Sequence, residues 1–180
     1  EHKGHKELSS SSPVFEFLNP EYVYIPLVEQ NTPCEVLVKV GDTVKVGQVV
    51  ANKTGHFPIP MHASVSGEVV SINQKMWHCS GKMVPTIQIK NDYKETKLDT
   101  KPNDVESLSK EDIIEIVKAC GIVGLGGSGF PAYAKYQVHN PIDYVILNAA
   151  ECEPYLTADY VLMNNRLETI IRGLKYILKA

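Results

Sequence analysis

The chain has 180 residues, which suits one ordinary domain or two small ones. Its 18 Lys and Arg residues against 21 Asp and Glu residues give a formal net charge of −3, too little basic character for nucleic-acid binding. Hydrophobic residues make up 43% of the chain, enough for a folded core, yet no apolar run approaches the ~20 residues that span a bilayer. Residues 1–6 are charged and lead into no apolar segment, so no secretory signal is expected.

Composition divides the chain into two unlike halves joined by a polar stretch. Residues 1–20 contain a serine run and predict an extended lead-in, and residues 21–90 contain short β-type runs punctuated by glycines. The predicted strands are 22–27, 36–40, 44–46, 49–51, 69–72 and 86–90. This pattern is typical of a small all-β barrel or sandwich. Residues 91–108 are polar and predict a linker to a second half at 109–180.

The second half has the pattern of helices around a single strand. Ser109, with Asp112 three residues later, fits a capping box before a helix, and Gly121 suits the end of that helix. The β-rich run at 144–147 predicts a buried parallel strand. Apolar residues recur every three or four positions over 167–178 and predict an amphipathic last helix. Because a sheet needs more than one strand, an incomplete α/β domain is expected.

One motif of the first half is similar to cofactor-carrying domains. Residues 38–48 (VKVGDTVKVGQ) resemble the strand–turn–strand of lipoyl and biotinyl domains, and residues 62–70 resemble the strand that follows their modified hairpin. Lys53 lies in the corresponding hairpin without the Met-Lys-Met or Asp-Lys-Ala context, and Pro58 and Pro60 stiffen the loop. We therefore predict a structural barrel-sandwich hybrid that carries no lipoate or biotin.

The cysteines and histidines indicate no metal centre. The cysteines are too far apart for the paired spacing of zinc or iron–sulfur ligands, and reduced, mostly packed thiols are expected at Cys34, Cys79, Cys120 and Cys152. Three histidines lie in or near the predicted hairpin without a carboxylate or cysteine at ligand spacing. Packing or surface roles are expected for His56, His62 and His78.

A glycine cluster follows the first predicted helix. It comprises Gly124, Gly126, Gly127 and Gly129. The cluster matches G-x-G-x-x-G, but a helix precedes it where a dinucleotide-binding fingerprint needs a strand. Its exposed N–H groups could still surround an anion, Pro131 suits the first turn of the next helix, and Lys135 could reach a phosphate. A close-packed or flexible turn is the alternative.

An acidic segment follows the predicted strand at 144–147. Because ligands of open α/β sheets bind beyond the carboxyl ends of strands, Asn148, Glu151 and Glu153 are candidates for binding the hydroxyl groups of a ligand. Acid–base catalysis or a metal pair is less favoured, since no third ligand lies nearby in sequence. Solvated acids in a loop remain the alternative.

These motifs together resemble a known family. GIVGLGGSGFP at 121–131, then Lys135, then NAAECEPYLTAD at 148–159 closely resemble RnfC, a component of the Rnf ion-translocating electron transport complex. That family is related to the flavin-binding 51-kDa subunit of respiratory complex I. The resemblance includes the barrel motif and covers essentially the whole chain. It implies a lipoyl- or biotinyl-like barrel-sandwich hybrid followed by the first part of an FMN- and NADH-binding α/β domain.

The resemblance also implies the site residues. Positions that match the family's flavin contacts are Gly124, Gly126, Gly127, Gly129, Lys135, Asn148 and Glu151. Phe130 and Glu153 match positions that face the nicotinamide nucleotide, and the resemblance assigns no catalytic side chain and no metal ligand. Leu125 and Ala150 stand where the complex I protein has an arginine and an aspartate, as in the Rnf version.

The implied function is that of an electron-input subunit in which FMN exchanges hydride with NAD(H). The full-length subunit passes the electrons to two [4Fe–4S] clusters in its C-terminal part, so this chain is expected to be an inactive N-terminal fragment. Its expected place is peripheral, on the cytoplasmic face of the bacterial inner membrane, with other members of the complex as partners and ferredoxin as an indirect one. Two alternatives stay open: a soluble flavoprotein reductase of the cobalamin-reductase type, and a non-catalytic subunit-docking module.

Overall fold

The computed structural model describes residues 4–16, 19–29, 32–78, 81–124 and 129–180. Within these ranges the strands are β1 Tyr22–Pro26, β2 Val28–Glu29, β3 Thr32–Val36, β4 Thr43–Val44, β5 Val49–Lys53, β6 Ile59–His62, β7 Gly67–Trp77 and β8 Met83–Asn91. The α-helices are α1 Glu7–Ser10, α2 Lys110–Ala119, α3 Ala132–Tyr136, α4 Ala158–Asn165 and α5 Leu167–Lys179, with a 3₁₀ turn at Val105–Ser107. Apart from α1, strands thus precede helices, as the sequence predicts. The predicted domain boundaries at 20, 90 and 108 remain predictions.

The strands form two four-stranded sheets in the described part of the chain. One sheet has the order β1-β8-β7-β4 and the other β2-β3-β5-β6, with neighbouring strands antiparallel. Their apolar side chains share one core, whose buried members are Leu27, Val44, Val50, Ala51, Ala63, Val69, Ile87 and Ile89. This packing of inward-facing residues from two sheets is the main source of stability expected for such a barrel.

Two turns of one design connect the short strands of the barrel. Gly41 and Gly47 have φ angles of +90° and +85°, which glycine adopts without steric cost. In the first turn the Lys39 N–H donates to Asp42 Oδ2 at 2.9 Å, and the second turn repeats this bond with Gln48 as the acceptor. The repeated VKVG segments of the sequence therefore form equivalent turns, and the predicted turn at Gly41 is confirmed.

The strand predicted at 36–40 is wrong for most of its length. β3 ends at Val36, and residues 37–40 form no strand. The alternation that suggested a strand is still present in the packing, because Val36 and Val38 both lie against the core. The segment is joined to β5 by the Leu37 N–H, which donates to the Val50 carbonyl at 2.9 Å.

The hairpin loop predicted to be stiffened by prolines contains the edge strand β6. Pro60 lies within β6 opposite Asn52 of β5, and an edge strand tolerates a residue that lacks an N–H. Lys53, at the end of β5, is only 7% exposed. A carrier lysine must be exposed, and Lys53 is not; that the barrel carries no lipoate or biotin stays a prediction.

Helix α2 begins and ends where the sequence predicts. The Ser109 side chain accepts the Asp112 N–H, and the Asp112 carboxylate accepts the Ser109 N–H, so the capping box is confirmed. Ile113 and Ile114 are buried. Gly121 ends the helix with a φ of +67°, and a Cβ there would lie 2.7 Å from the Pro60 carbonyl oxygen. The end of α2 therefore lies directly against β6.

The predicted parallel strand at 144–147 is wrong. The segment forms no strand, and the side chains of Tyr144 and Ile146 are 85% and 86% exposed. A parallel strand needs neighbours that pair with its backbone, and no parallel sheet is present in the described ranges. The composition of the segment suits burial, but the described residues bring no sheet to it.

The last helices bear out the predicted amphipathic segment and add one helix. Leu167–Lys179 forms α5, and the unpredicted α4 precedes it directly. The Lys179 ammonium donates to the carbonyls of Val105 and Glu106 at 2.8 and 2.7 Å, which ties α5 to the 3₁₀ turn. None of the helices in the described ranges combines the length and apolar character that crossing a bilayer requires.

The barrel should be most sensitive to substitution at Gly67. Its φ is +155°, and a methyl group there would overlap the carbonyl oxygen of Lys90 on β8. We expect Gly67→Ala to lower the free energy of unfolding by more than about 2 kcal/mol, since β7 or β8 must move. Gly41→Ala, where the space is open, should cost only about 1 kcal/mol. Denaturant titration followed by circular dichroism measures both; equal losses would contradict the steric argument.

The capping box should give α2 a pH-dependent stability. The Ser109 N–H, and next its hydroxyl, hold the pKa of Asp112 below its usual range. The stabilisation is therefore present above about pH 4 and is lost as the pH falls through the lowered pKa of the folded state. Ser109→Ala should raise the pKa of Asp112, measured by NMR titration of its carboxyl carbon. Glu111→Gln, in the same helical turn, should leave that titration unchanged. Because alanine keeps the backbone N–H, an unshifted pKa in Ser109→Ala would refute the contribution of the hydroxyl alone.

Candidate functional site: a glycine loop and an acidic loop

The glycine loop is closed at its base by backbone hydrogen bonds. Val123 and Pro131 form an antiparallel bridge, the Gly124 N–H donates to the Phe130 carbonyl at 2.9 Å, and the Gly129 N–H donates to the Gly124 carbonyl at 3.1 Å. Gly129 has a φ of +60°, which favours glycine. Of the predicted site residues, Gly126 and Gly127 lie outside the described residues. Gly124 and Gly129 are therefore brought together by a hydrogen bond at the base of the loop.

Phe130 and Lys135 lie together at the end of this loop. The Lys135 ammonium is 5.8 Å from the centroid of the Phe130 ring, within reach of a cation–π interaction. The Phe130 ring also contacts Phe57 edge to face, with 5.0 Å between centroids. Phe57 belongs to the loop between β5 and β6. This hairpin of β5 and β6, called the barrel hairpin below, therefore contacts the glycine loop. Lys135 supplies a positive charge on this side of the loop.

The acidic loop, residues 148–157, folds around its own side chains. The Ala150 N–H donates to Asn148 Oδ1 at 2.9 Å. The Asp159 N–H at the start of α4 donates to Glu151 Oε1 at 2.8 Å. A carboxylate there is favourable, because it accepts an otherwise unpaired N–H at the positive end of the helix. Glu151 thus links the acidic loop to α4, whereas the side chains of Asn148 and Glu153 are exposed.

The N-terminal lead-in contacts the acidic loop, which sequence reasoning missed. The Lys6 ammonium lies 3.6 Å from Glu151 Oε2 and donates to the carbonyls of Glu153 and Leu156 at 2.8 and 2.6 Å. The Tyr155 N–H donates to the Gly4 carbonyl at 2.8 Å. No spacing rule relates residues 150 positions apart, so only the structure could reveal this contact.

An apolar cavity lies beside both loops. It has a volume of about 360 Å³ and is lined by Ile122, just before the glycine loop, and Leu147, just before the acidic loop. The remaining lining residues come from α2, α3 and α5: Ile113, Ile116, Val117, Tyr136, Ile170, Gly173, Leu174, Tyr176 and Ile177. The cavity is therefore bordered by the residues that precede the two loops, and none of the described site residues lines it. None of the described residues that line it is charged, so it does not suit a phosphate group.

Family models match both halves of the chain. The RnfC barrel sandwich hybrid domain matches residues 1–94, more than half of the chain. The chain belongs to the RnfC family. The Nuo51 FMN-binding domain matches residues 117–180, which include the glycine loop and the acidic loop. The resemblance drawn from the two loops and the barrel motif is confirmed, as is the order of the two kinds of domain. The lipoyl-like detail of the barrel stays a prediction.

Curated relatives of this RnfC chain come from several bacteria. It is 39% identical over 180 residues to a subunit of the Na⁺-translocating ferredoxin:NAD⁺ oxidoreductase complex of Acetobacterium woodii. That alignment covers 97% of this chain and 40% of the relative. It is 35% identical to the corresponding subunit of the ion-translocating oxidoreductase complex of Vibrio cholerae and 38% identical to that of Haemophilus influenzae. Those alignments cover 96% of this chain each, but 23% and 28% of the relatives. The chain therefore spans well under half the length of these proteins.

The contact between the barrel hairpin and the glycine loop gives a test of how the loop is held. We expect Phe57→Ala to speed hydrogen exchange at the Gly124 and Gly129 amides by up to about tenfold, because an aromatic pair that supports the loop is lost. Phe15→Ala removes an equal ring that is 90% exposed and should change neither amide. Hydrogen exchange followed by mass spectrometry measures both variants. Unchanged exchange in Phe57→Ala would mean that the loop is held by its own backbone bonds alone.

Proposed function

We propose that this RnfC chain forms the flavin- and nucleotide-binding input part of a membrane ion-translocating NAD:ferredoxin oxidoreductase. The observation that carries the proposal is the match of an FMN-binding domain over 117–180, the segment that contains both loops. The names of the relatives support it further, since they are subunits of ion-translocating oxidoreductase complexes. When bound, FMN supplies hydride exchange with NAD(H) and delivers electrons to [4Fe–4S] clusters in the rest of the subunit.

The donor groups of the two loops suit a phosphorylated ligand that carries hydroxyl groups. Lys135 places a cation beside the glycine loop, and this ammonium is the donor proposed for the phosphate, because the described main-chain N–H groups of the loop are already paired within it. In the acidic loop, Asn148 and Glu153 present exposed amide and carboxylate groups, which bind hydroxyls, whereas the carboxylate of Glu151, also predicted as a flavin contact, is only 9% exposed and already paired within the protein. In the proposed site the phosphate is bound at the glycine loop and the hydroxyl-bearing part at the acidic loop. Phe130, beside Lys135, offers an aromatic surface for the nicotinamide nucleotide.

The chain's own part in the reaction is to bind and orient the reactants. Hydride exchange requires the two rings to be held about 3–3.5 Å apart, and water to be excluded from between them. Phe130 and Lys135 at the glycine loop, with Asn148 and Glu153 in the acidic loop, are the side chains proposed to fix one side of such a stack. The other side is assigned to the part of the RnfC protein that the relatives have beyond the matched segment. For this reason the chain alone is expected to bind FMN weakly or not at all.

The proposed place of the protein is peripheral, on the cytoplasmic face of the bacterial inner membrane. Other subunits of the complex are the proposed direct partners, and ferredoxin is an indirect one. The soluble reductase alternative shares the glycine loop but does not need membrane partners. Affinity purification of the full-length protein from detergent-solubilised membranes separates these proposals: integral membrane proteins of the complex should co-purify, and recovery without any of them would favour the soluble reductase.

Flavin titration of the full-length protein tests the site itself. We expect saturable FMN binding, seen as quenching of flavin fluorescence, and a Kd raised at least about tenfold in Gly127→Val. The reason is that a valine side chain would occupy the place proposed for the phosphate. Gly81→Val, at a surface turn of the barrel, is the control: its space is open but its φ of +73° strains a valine, so circular dichroism first checks the fold, and the folded variant should retain FMN. The absence of saturable binding in the unmutated protein would instead support the docking-module alternative.

A further inference from the structure

Residues 4–9 form a clamp on the acidic loop. Besides the bonds of Lys6, the Ser9 hydroxyl donates to the Tyr155 carbonyl, and the His5 ring stacks on the Tyr155 ring with 5.5 Å between centroids. The Tyr155 N–H in turn donates to the Gly4 carbonyl. Tyr155 itself has a φ of +65°, a conformation that a bulky residue adopts only when its surroundings hold it there. The clamp supplies those surroundings.

The Lys6 ammonium is the centre of the clamp. It has three N–H donors, and three acceptors surround it: the carbonyls of Glu153 and Leu156 and the carboxylate of Glu151. A compact ammonium suits acceptors that converge on one point, whereas the planar guanidinium of arginine suits acceptors arranged side by side. The side chain of Glu151 is only 9% exposed, so the positive charge of Lys6 compensates a carboxylate that is largely removed from water.

Glu151 connects the clamp to the helix that follows. One of its oxygens faces Lys6, and the other accepts the Asp159 N–H at the start of α4. The clamp therefore fixes both ends of the segment from Glu151 to Asp159. It does so through backbone groups and one largely buried carboxylate, and it leaves the side chains of Asn148 and Glu153 exposed. This geometry suits a device that shapes the loop for a ligand rather than one that blocks it.

We propose that Lys6 is a positioning residue that holds the acidic loop in the form that binds the flavin. The inference rests on the proposed function, because it assigns the loop's ligand to be FMN. It gives the lead-in a role in the same site as the glycine loop, although the two are separated by the whole barrel in sequence. Lys6 acts through the loop, and no contact between Lys6 and the flavin is part of the proposal.

The test compares Lys6→Met, Lys6→Arg and Glu151→Gln in the full-length protein, with Lys101→Met as the control. Lys101 is an exposed lysine outside the helices and strands. In the absence of FMN, Lys6→Met should speed hydrogen exchange of the 151–159 backbone about tenfold, because the loop loses its cation and two donors. The FMN Kd should rise about tenfold, while kcat at saturating FMN returns to the unmutated value. Lys6→Arg should restore part of both losses, and Lys101→Met should change neither.

Coupling between the two charged residues gives a second measurement. The double variant combines Lys6→Met with Glu151→Gln. If Lys6 acts through Glu151, the fold-increase in its FMN Kd should be smaller than the product of the two single fold-increases. Unchanged hydrogen exchange of 151–159 in Lys6→Met would overturn the clamp, whether or not the protein binds FMN. Faster exchange with an unchanged FMN Kd would overturn the positioning role. Failure of the unmutated protein to bind FMN would overturn the proposed function, and the exchange data would still decide on the clamp.

Discussion

The close approach of Gly121 to the edge strand β6 determines where the glycine loop lies relative to the barrel. A side chain at this position would collide with the Pro60 carbonyl oxygen and come within 3.1 Å of the His62 ring. The positive φ of Gly121 also turns the chain out of α2, so one glycine satisfies a steric and a conformational requirement at once. Because the loop begins three residues later, at Gly124, its position follows from this contact. The covered edge of the sheet gains protection from pairing with other chains as well.

Features that depend on neighbours in sequence could be predicted, because their physical cause lies within a few residues. The capping box at Ser109 and the turn at Gly41 satisfy backbone groups locally, and the structure has both. The periodicity of α5 is likewise a local property of the chain. The glycine cluster and the acidic segment could be recognised as candidate ligand-binding loops for the same reason: their chemistry is carried by adjacent residues.

Features that depend on distant residues could not be predicted. The run 144–147 has the composition of a buried strand, but strand formation needs a pairing partner that composition does not supply. Pro60 predicts a stiffened loop, whereas it lies in β6, where the edge of the sheet tolerates a residue that lacks an N–H. Lys6 looked like one charge in a polar lead-in, although it lies within hydrogen-bonding distance of the Leu156 carbonyl. In each case the outcome depends on which segments of the chain pack together, and the local sequence does not specify that.

The barrel hairpin, made of β5, β6 and the loop between them, contacts the glycine loop through one aromatic pair. A carrier hairpin must present its lysine to solvent, whereas Lys53 is almost fully buried at the end of β5. The loop that follows presents Phe57 instead, and this ring contacts Phe130 beside the glycine loop. A swinging arm requires a mobile tip, but a flavin that exchanges hydride requires rigid walls, since the reacting rings tolerate little displacement. The buried lysine and the aromatic contact together therefore suit this hairpin to supporting the loop next to it.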